Sequence, residues 1–258
     1  MLTHRINTGL FVTVIVVLSV LAFFYPLPWW LFVLPGLVWL IAAVAGSGLI
    51  RSGYHLKALS YKKGINAKQL AITFDDGPTP ETEKVIALLR KYNAKATFFC
   101  IGTQIEKYPH ILQKLVDEGH TIGNHTYSHS PQMGMFPTAK VIEELEITDA
   151  LIERHTAKKA LLFRPPYGVT NPAIARAVKK TGHCVIGWNV RSLDAVIKNE
   201  DRIVARVKDD IAPGNIILLH DTSQKSVNVL EQLLLLLQQQ QYTAVTVDQL
   251  LNIPAYEE

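Results

Sequence analysis

Leu70-Ala71-Ile72-Thr73-Phe74-Asp75-Asp76-Gly77-Pro78 is an apolar run that stops on two adjacent carboxylates and a turn. Residues 69–74 read as a strand, and Gly77-Pro78 is the punctuation that ends one. Fifty residues after Asp75, His125-Thr126-Tyr127-Ser128-His129 sets two imidazoles four positions apart. Two imidazoles plus one carboxylate form a ligand set for catalytic zinc that leaves a position open to water. A second carboxylate beside the first is free to take a proton. Each piece alone also has an ordinary reading. Asp-Asp-Gly-Pro is usually a turn, and histidines at this spacing are more often unrelated to metal.

Outward from this strand, the chain alternates. Further strands are expected at 95–101, 121–124, 161–164, 183–188, 215–220 and 243–247, with helices at 81–91, 109–118, 138–155, 171–180, 201–210 and 227–241. Seven strands alternating with helices imply an α/β fold with a parallel sheet, closed or nearly closed into a barrel. Asp75, Asp76, His125, His129, Arg164, Trp188, His220 and Asp221 then all fall at carboxyl ends of strands, the face where parallel barrels put their chemistry. The leucines at 233–237 are expected to be buried. Cys100 and Cys184 sit in expected strands and read as small buried hydrophobes, which leaves the compartment undecided.

The 258 residues suffice for one large domain, and hydrophobic residues make up 48% of them. The excess lies in residues 1–50, where Arg5 is the single charge. Leu10–Tyr25 and Leu31–Ile50 are uncharged runs separated by Pro26-Leu27-Pro28-Trp29-Trp30. Two bilayer spans in a tight hairpin are expected; a buried helical hairpin, or a signal peptide cleaved near Ala43-Val44-Ala45, are the alternatives. Arg5, Arg51, Lys57, Lys62 and Lys63 flank the hairpin on one side, so the charge bias favours a cytoplasmic catalytic domain on an inner membrane. If Leu10–Tyr25 does not span, the domain faces outward. A net charge of +4, scattered and without a basic stripe, argues against nucleic acid.

Five blocks carry a resemblance: Thr73–Pro78, Gly123–His129, Arg164-Pro165-Pro166-Tyr167, Trp188 with Asp194, and Leu218-Leu219-His220. In this order, over about residues 65–250, they resemble the polysaccharide deacetylase family, the carbohydrate esterase 4 or NodB-homology enzymes. The resemblance implies a distorted (β/α)7 barrel of the NodB type at 67–258, following the membrane hairpin at 1–50 and a basic linker at 51–66. It implies that Asp76, His125 and His129 hold a divalent metal, zinc first and cobalt or nickel next, with Asp75 as general base and His220 as general acid. Arg164 is then expected to orient Asp75, Asp194 to hold His220, and the Tyr167 N–H to meet the oxyanion. Trp188, Leu218 and Pro166 are expected at the substrate. One block departs from the family pattern: Arg191-Ser192-Leu193-Asp194-Ala195 stands where Asp-x-x-Asp-Trp is common, so Ala195 alters one wall of the groove.

Each of these residues has an ordinary alternative: a surface turn for Arg164, a cap for Asp194, a plain turn for His220-Asp221, core for Tyr167. Glu143, Glu144, Glu146 and Asp149 read as the solvated face of a helix, and His110, His120, His155 and His183 as structural or surface. The expected activity is metal-dependent N-deacetylation of an acetylated amino sugar. Its substrate is a lipid-linked sugar near the bilayer, or peptidoglycan or an exported polysaccharide if the domain faces outward. An O-acetyl esterase, a deformylase, and a membrane-tethered glycan-binding protein without activity are the competing readings.

Overall fold

The computed structural model describes residues 2–257. Helices α1 (His4–Phe24) and α2 (Trp30–Gly48) form an antiparallel hairpin in which Asn7 meets Trp39 and Phe11 meets Gly36. Their valines, leucines and phenylalanines are largely exposed. Both helices are long and apolar enough to cross a bilayer, a test that a signal sequence also passes.

Within the described residues the α/β domain is built on eight strands rather than seven. They are β1 (Gln69–Asp75), β2 (Ala96–Cys100), β3 (Thr121–Asn124), β4 (Leu162–Phe163), β5 (Cys184–Val185), β6 (Val190–Arg191), β7 (Ile216–His220) and β8 (Thr243–Val245). All their pairings are parallel, in the order β5-β4-β3-β2-β1-β7-β6, with β8 against the first half of β1. Helices α3 (Thr82–Lys91), α4 (Gly102–Lys107), α5 (Pro109–Asp117), α6 (Thr138–Thr156), α7 (Pro172–Thr181), α8 (Glu200–Asp209), α9 (Gln224–Gln239) and α10 (Val247–Leu251) complete the domain. Asn171 caps α7 by accepting the Ile174 N–H, with Pro172 in the first turn, where its missing donor costs nothing. Of the leucines at 233–237 in α9, Leu233, Leu234 and Leu237 are buried as expected, whereas Leu235 is 46% exposed.

The expected fifth strand is broken in two. Residues 186–189 leave the ladder, and the sheet stays open between β5 and β6. The chain before β1 enters this gap: Leu59 bridges Ile186, and Tyr61 bridges Asn215. Gly187 lets Ser60 approach, since any Cβ there would strike the Ser60 hydroxyl. Residues 51–66 are therefore not a bare tether; part of the stretch packs on the sheet. Ile50 also joins the inner core beside Trp188.

The base of the hairpin is joined to the domain by hydrogen bonds. The His4 N–H donates to the Tyr54 carbonyl at 2.8 Å, and Asn7 Nδ2 donates to Tyr54 Oη at 2.6 Å. The Thr170 N–H donates to the Ser47 carbonyl at 2.9 Å.

Candidate active site

Strand periodicity sorts the first carboxylate. On β1, Ile72 and Phe74 join the core under the outer helices, so Thr73 and Asp75 point to the barrel interior. There Arg164 meets them. Its Nη1 donates to Asp75 Oδ1 and to Thr73 Oγ1, each at 2.7 Å, while Nε and Nη2 donate to the Ile186 and Gly187 carbonyls at 3.1 and 3.0 Å. The guanidinium is wholly buried and lies 4.1 Å from the centre of the Phe99 ring. Residues 186 and 187, which leave the sheet, thus supply the acceptors that a buried arginine requires.

Asp76 turns away from its neighbour. Its φ of 75° lies in the left-handed region, so the chain reverses and its carboxylate faces the histidine loop. His125 Nδ1 lies 2.7 Å from the Arg164 carbonyl. A carbonyl only accepts, so Nδ1 carries the hydrogen and the neutral ring offers the lone pair of Nε2. That Nε2 is 3.5 Å from Asp76 Oδ1, and His129 Nε2 is 3.3 Å from the same oxygen. One ligand atom from each of Asp76, His125 and His129 lies within 4.8 Å of the others. Asp76 Oδ1 is buried and has no hydrogen-bond donor. A buried anionic oxygen ringed by lone-pair nitrogens calls for a cation, and two imidazoles with a carboxylate fit a divalent transition metal. Burial alone would raise the Asp76 pKa, but the surrounding imidazoles of His125, His129 and His220 hold it at about 2. Burial and His125 lower that of His129.

The histidine loop is held from below by α6. Asn124 Oδ1 accepts the Thr126 N–H at 2.8 Å, and its Nδ2 donates to Asp149 Oδ1 at 2.7 Å. Glu144 accepts from the Ser128 N–H at 2.7 Å and from the Ser128 hydroxyl. Glu144 and Asp149 are thus buried, not solvated, while Glu143 and Glu146 are exposed as expected. Glu144 and Asp149 lie on the buried face of α6 and accept from donors at the end of β3 and in the loop after it. His183 is also structural, its Nε2 at 3.2 Å from Asp149 Oδ1.

Across the site, β7 runs beside β1 with His220 opposite Asp75. Asp194 Oδ1 lies 2.8 Å from His220 Nδ1, and its Oδ2 accepts the His220 N–H at 2.8 Å. Ser192 and Ser226 hydroxyls supply two more hydrogen bonds, at 2.7 and 2.9 Å. Burial opposes charge on His220, but the hydrogen bond and charge of Asp194, with Asp75 and Asp76, outweigh it and raise the ring to about 9. Its Nε2 is 3.9 Å from Asp76 Oδ2. Asp221, next along, is fully buried; burial raises its carboxyl to about 7 despite the Thr82 hydroxyl at 2.5 Å.

Tyr167 is 53% exposed, its ring 4.8 Å from that of His129, so it is not core. No backbone acceptor among the described residues takes its N–H. Pro166 and Leu218 are buried beside the site. Trp188, expected at the substrate, is 9% exposed and tucked under Gly168, where an added Cβ would strike the indole. Left-handed non-glycine residues mark the site as well. Asp76, Thr126, His129, Tyr167 and Leu193 lie in or beside it, whereas Asn93, Ala157, Gln241 and Asn252 follow helix ends, where that conformation is routine.

The polysaccharide deacetylase family model matches residues 62–186. A peptidoglycan-N-acetylglucosamine deacetylase of Bacillus cereus is 36% identical over 196 residues, covering 72% of this chain and 90% of that protein. The peptidoglycan-N-acetylmuramic acid deacetylase PdaC of Bacillus subtilis is 34% identical over 194 residues, covering 75% of this chain; the chain spans only 41% of PdaC. A crystal structure of a peptidoglycan N-acetylglucosamine deacetylase superposes with a TM-score of 0.72 at 30% identity, covering 77% of this chain and 94% of that one.

Proposed function

The chain belongs to the polysaccharide deacetylase family, and we propose that it removes N-acetyl groups from an amino sugar of peptidoglycan, releasing acetate. The observation that carries this reading is the convergence of Asp76, His125 and His129 on one buried, donor-free oxygen, with Asp75 on one flank and His220 on the other. The first three hold the metal, zinc before cobalt or nickel. A bound zinc ion acts as a Lewis acid on the acetyl oxygen and makes water a better nucleophile.

The chain's own groups divide the remaining work. Asp75, oriented by Arg164, takes a proton from the attacking water. The Tyr167 N–H donates to the developing oxyanion. His220, protonated at neutral pH, gives its proton to the departing nitrogen, while Asp194 holds Nδ1–H and so aims Nε2 at the reaction. Pro166 and Leu218 line the pocket for the acyl group, and Trp188 backs Gly168 in the loop that carries Tyr167.

The apolar hairpin anchors this domain in a membrane. The names of the relatives favour peptidoglycan, a substrate that requires an outward-facing domain. The basic flank of the hairpin favours a second reading, a cytoplasmic domain acting on a lipid-linked form of the same sugar. A reporter fused at the C-terminus separates the two. Acetate release from N-acetylated glycan fragments, with and without a chelator, tests the reaction. Acetate from O-acetylated glycans alone would make the protein an esterase, formate would make it a deformylase, and no turnover with any glycan would leave a binding protein.

A further inference from the structure

A cavity of about 660 Å³ opens where the apolar hairpin meets the catalytic domain. Arg5 from the first turn of α1, Lys57 from the segment before β1, and Arg176 and Lys179 from α7 line it, together with His4 and His55. No carboxylate lines it. Among the described residues none of the four cations makes an ion pair; Arg176 Nε donates to the Thr138 hydroxyl. His4 Nδ1 and His55 Nδ1 are buried without partners. Burial and the charge of His4 lower the His55 pKa to about 4, so this ring is neutral and the pocket's charge belongs to the arginines and lysines.

We infer that this cavity binds the phosphate-bearing headgroup of an anionic membrane lipid. Three independent elements bring cations together with no neighbouring acid to neutralise them, an arrangement whose self-repulsion a phosphate relieves. The location selects the source. The cavity sits at the start of α1, where Arg5 precedes the exposed apolar face. A headgroup there keeps its tails along the hairpin, and a basic cluster next to a span gains affinity for anionic lipid with every lysine or arginine. The inference rests on the hairpin's being a membrane anchor but is independent of the catalytic chemistry.

The test uses the full chain in nanodiscs of phosphatidylcholine, with or without phosphatidylglycerol, and counts retained lipids by native mass spectrometry. The wild-type protein is expected to retain phosphatidylglycerol over phosphatidylcholine. The triple variant Lys57→Gln, Arg176→Gln, Lys179→Gln is expected to lose that retention by about tenfold or more. A control with the same charge change, Lys62→Gln, Lys63→Gln, Lys68→Gln, should retain lipid as the wild type does. Both variants should melt with the wild type and release acetate from soluble glycan fragments at its rate, so a failed catalytic assay and a failed lipid assay remain distinct. Equal retention by the two triple variants, or of the two lipids, overturns the site. Displacement of the lipid by inorganic phosphate, or loss of the protein from membranes in a carbonate wash, overturns the lipid as ligand and leaves a pocket for soluble anions.

Discussion

The two halves of the active site are built on opposite principles. On the β1–β3 side, acceptor atoms converge and are left without donors: Asp76 Oδ1 faces two imidazole nitrogens and nothing else. On the β7 side the acceptors of Asp194 are used: it takes four hydrogen bonds, from His220 Nδ1, the His220 N–H, Ser192 and Ser226. The first half has the donor set of a cation site. The second is complete and fixes a proton in place. The protein thus separates a site that waits for charge from one that stores it, with Asp75 and Arg164 as the wall between them.

Breaking that wall should have the largest effect. Arg164→Met leaves the Asp75 carboxylate buried without its cation, which costs about 3–5 kcal/mol and abolishes turnover; a melting temperature near wild type would show that the pair is not what organises the interior. Asp75→Asn keeps the shape, so metal content measured by atomic absorption should be unchanged while kcat falls by about a thousandfold or more. Loss of metal in this variant would mean that the two carboxylates have exchanged roles. His220→Ala should lower kcat by about 10²–10⁴-fold with little effect on metal affinity, because His220 is not one of the three candidate ligands. Glu144→Gln, which weakens the grip on Ser128, should lower metal affinity by about tenfold and leave the titration of His220 where it was.

The pH profile sharpens the same contrast. His220 must carry its proton to act as acid, so activity is present below the ring's folded pKa of about 9 and falls above it; a bound dication moves this limb to lower pH. The sign for stability is the same. A histidine raised above its ordinary value of 6.5 contributes fully below that pH and loses its contribution as the pH passes 9. In Asp194→Asn the limb should move down, and an unmoved limb would remove Asp194 as its cause.

How much of the fold and of the site is legible in the sequence depends on how local each signal is. Asp75, Asp76, His125 and His129 sit at strand ends, and strand ends are marked by their own neighbours: an apolar run, then Gly-Pro or a polar cluster. Parallel alternation brings distant ends together, so the metal set and His220 can be read from placement. Glu144 and Asp149 mislead because their charge suggests solvent, although on α6 they fall within the stripe of Val141, Leu145, Thr148 and Ile152; the donors of Ser128 and Asn124 that meet them there come from a distant stretch of the chain. The split between β5 and β6 is equally hidden. It depends on Leu59 entering the sheet and on Arg164 drawing the 186 and 187 carbonyls inward, and neither leaves a trace in the sequence of 183–191. Trp188 can be placed near the site from its strand, but its cover cannot: the glycine over it lies twenty positions earlier.

The hydrogen bond from Thr170 to Ser47 has a mechanical meaning. It ties the last turn of α2 to the loop that carries Tyr167, three residues away. Together with the links from Tyr54 to His4 and Asn7, it couples the hairpin to the rim of the candidate site through three hydrogen bonds. Were the hairpin held in a bilayer, as proposed, these bonds would set the height and tilt of the site relative to the lipid surface.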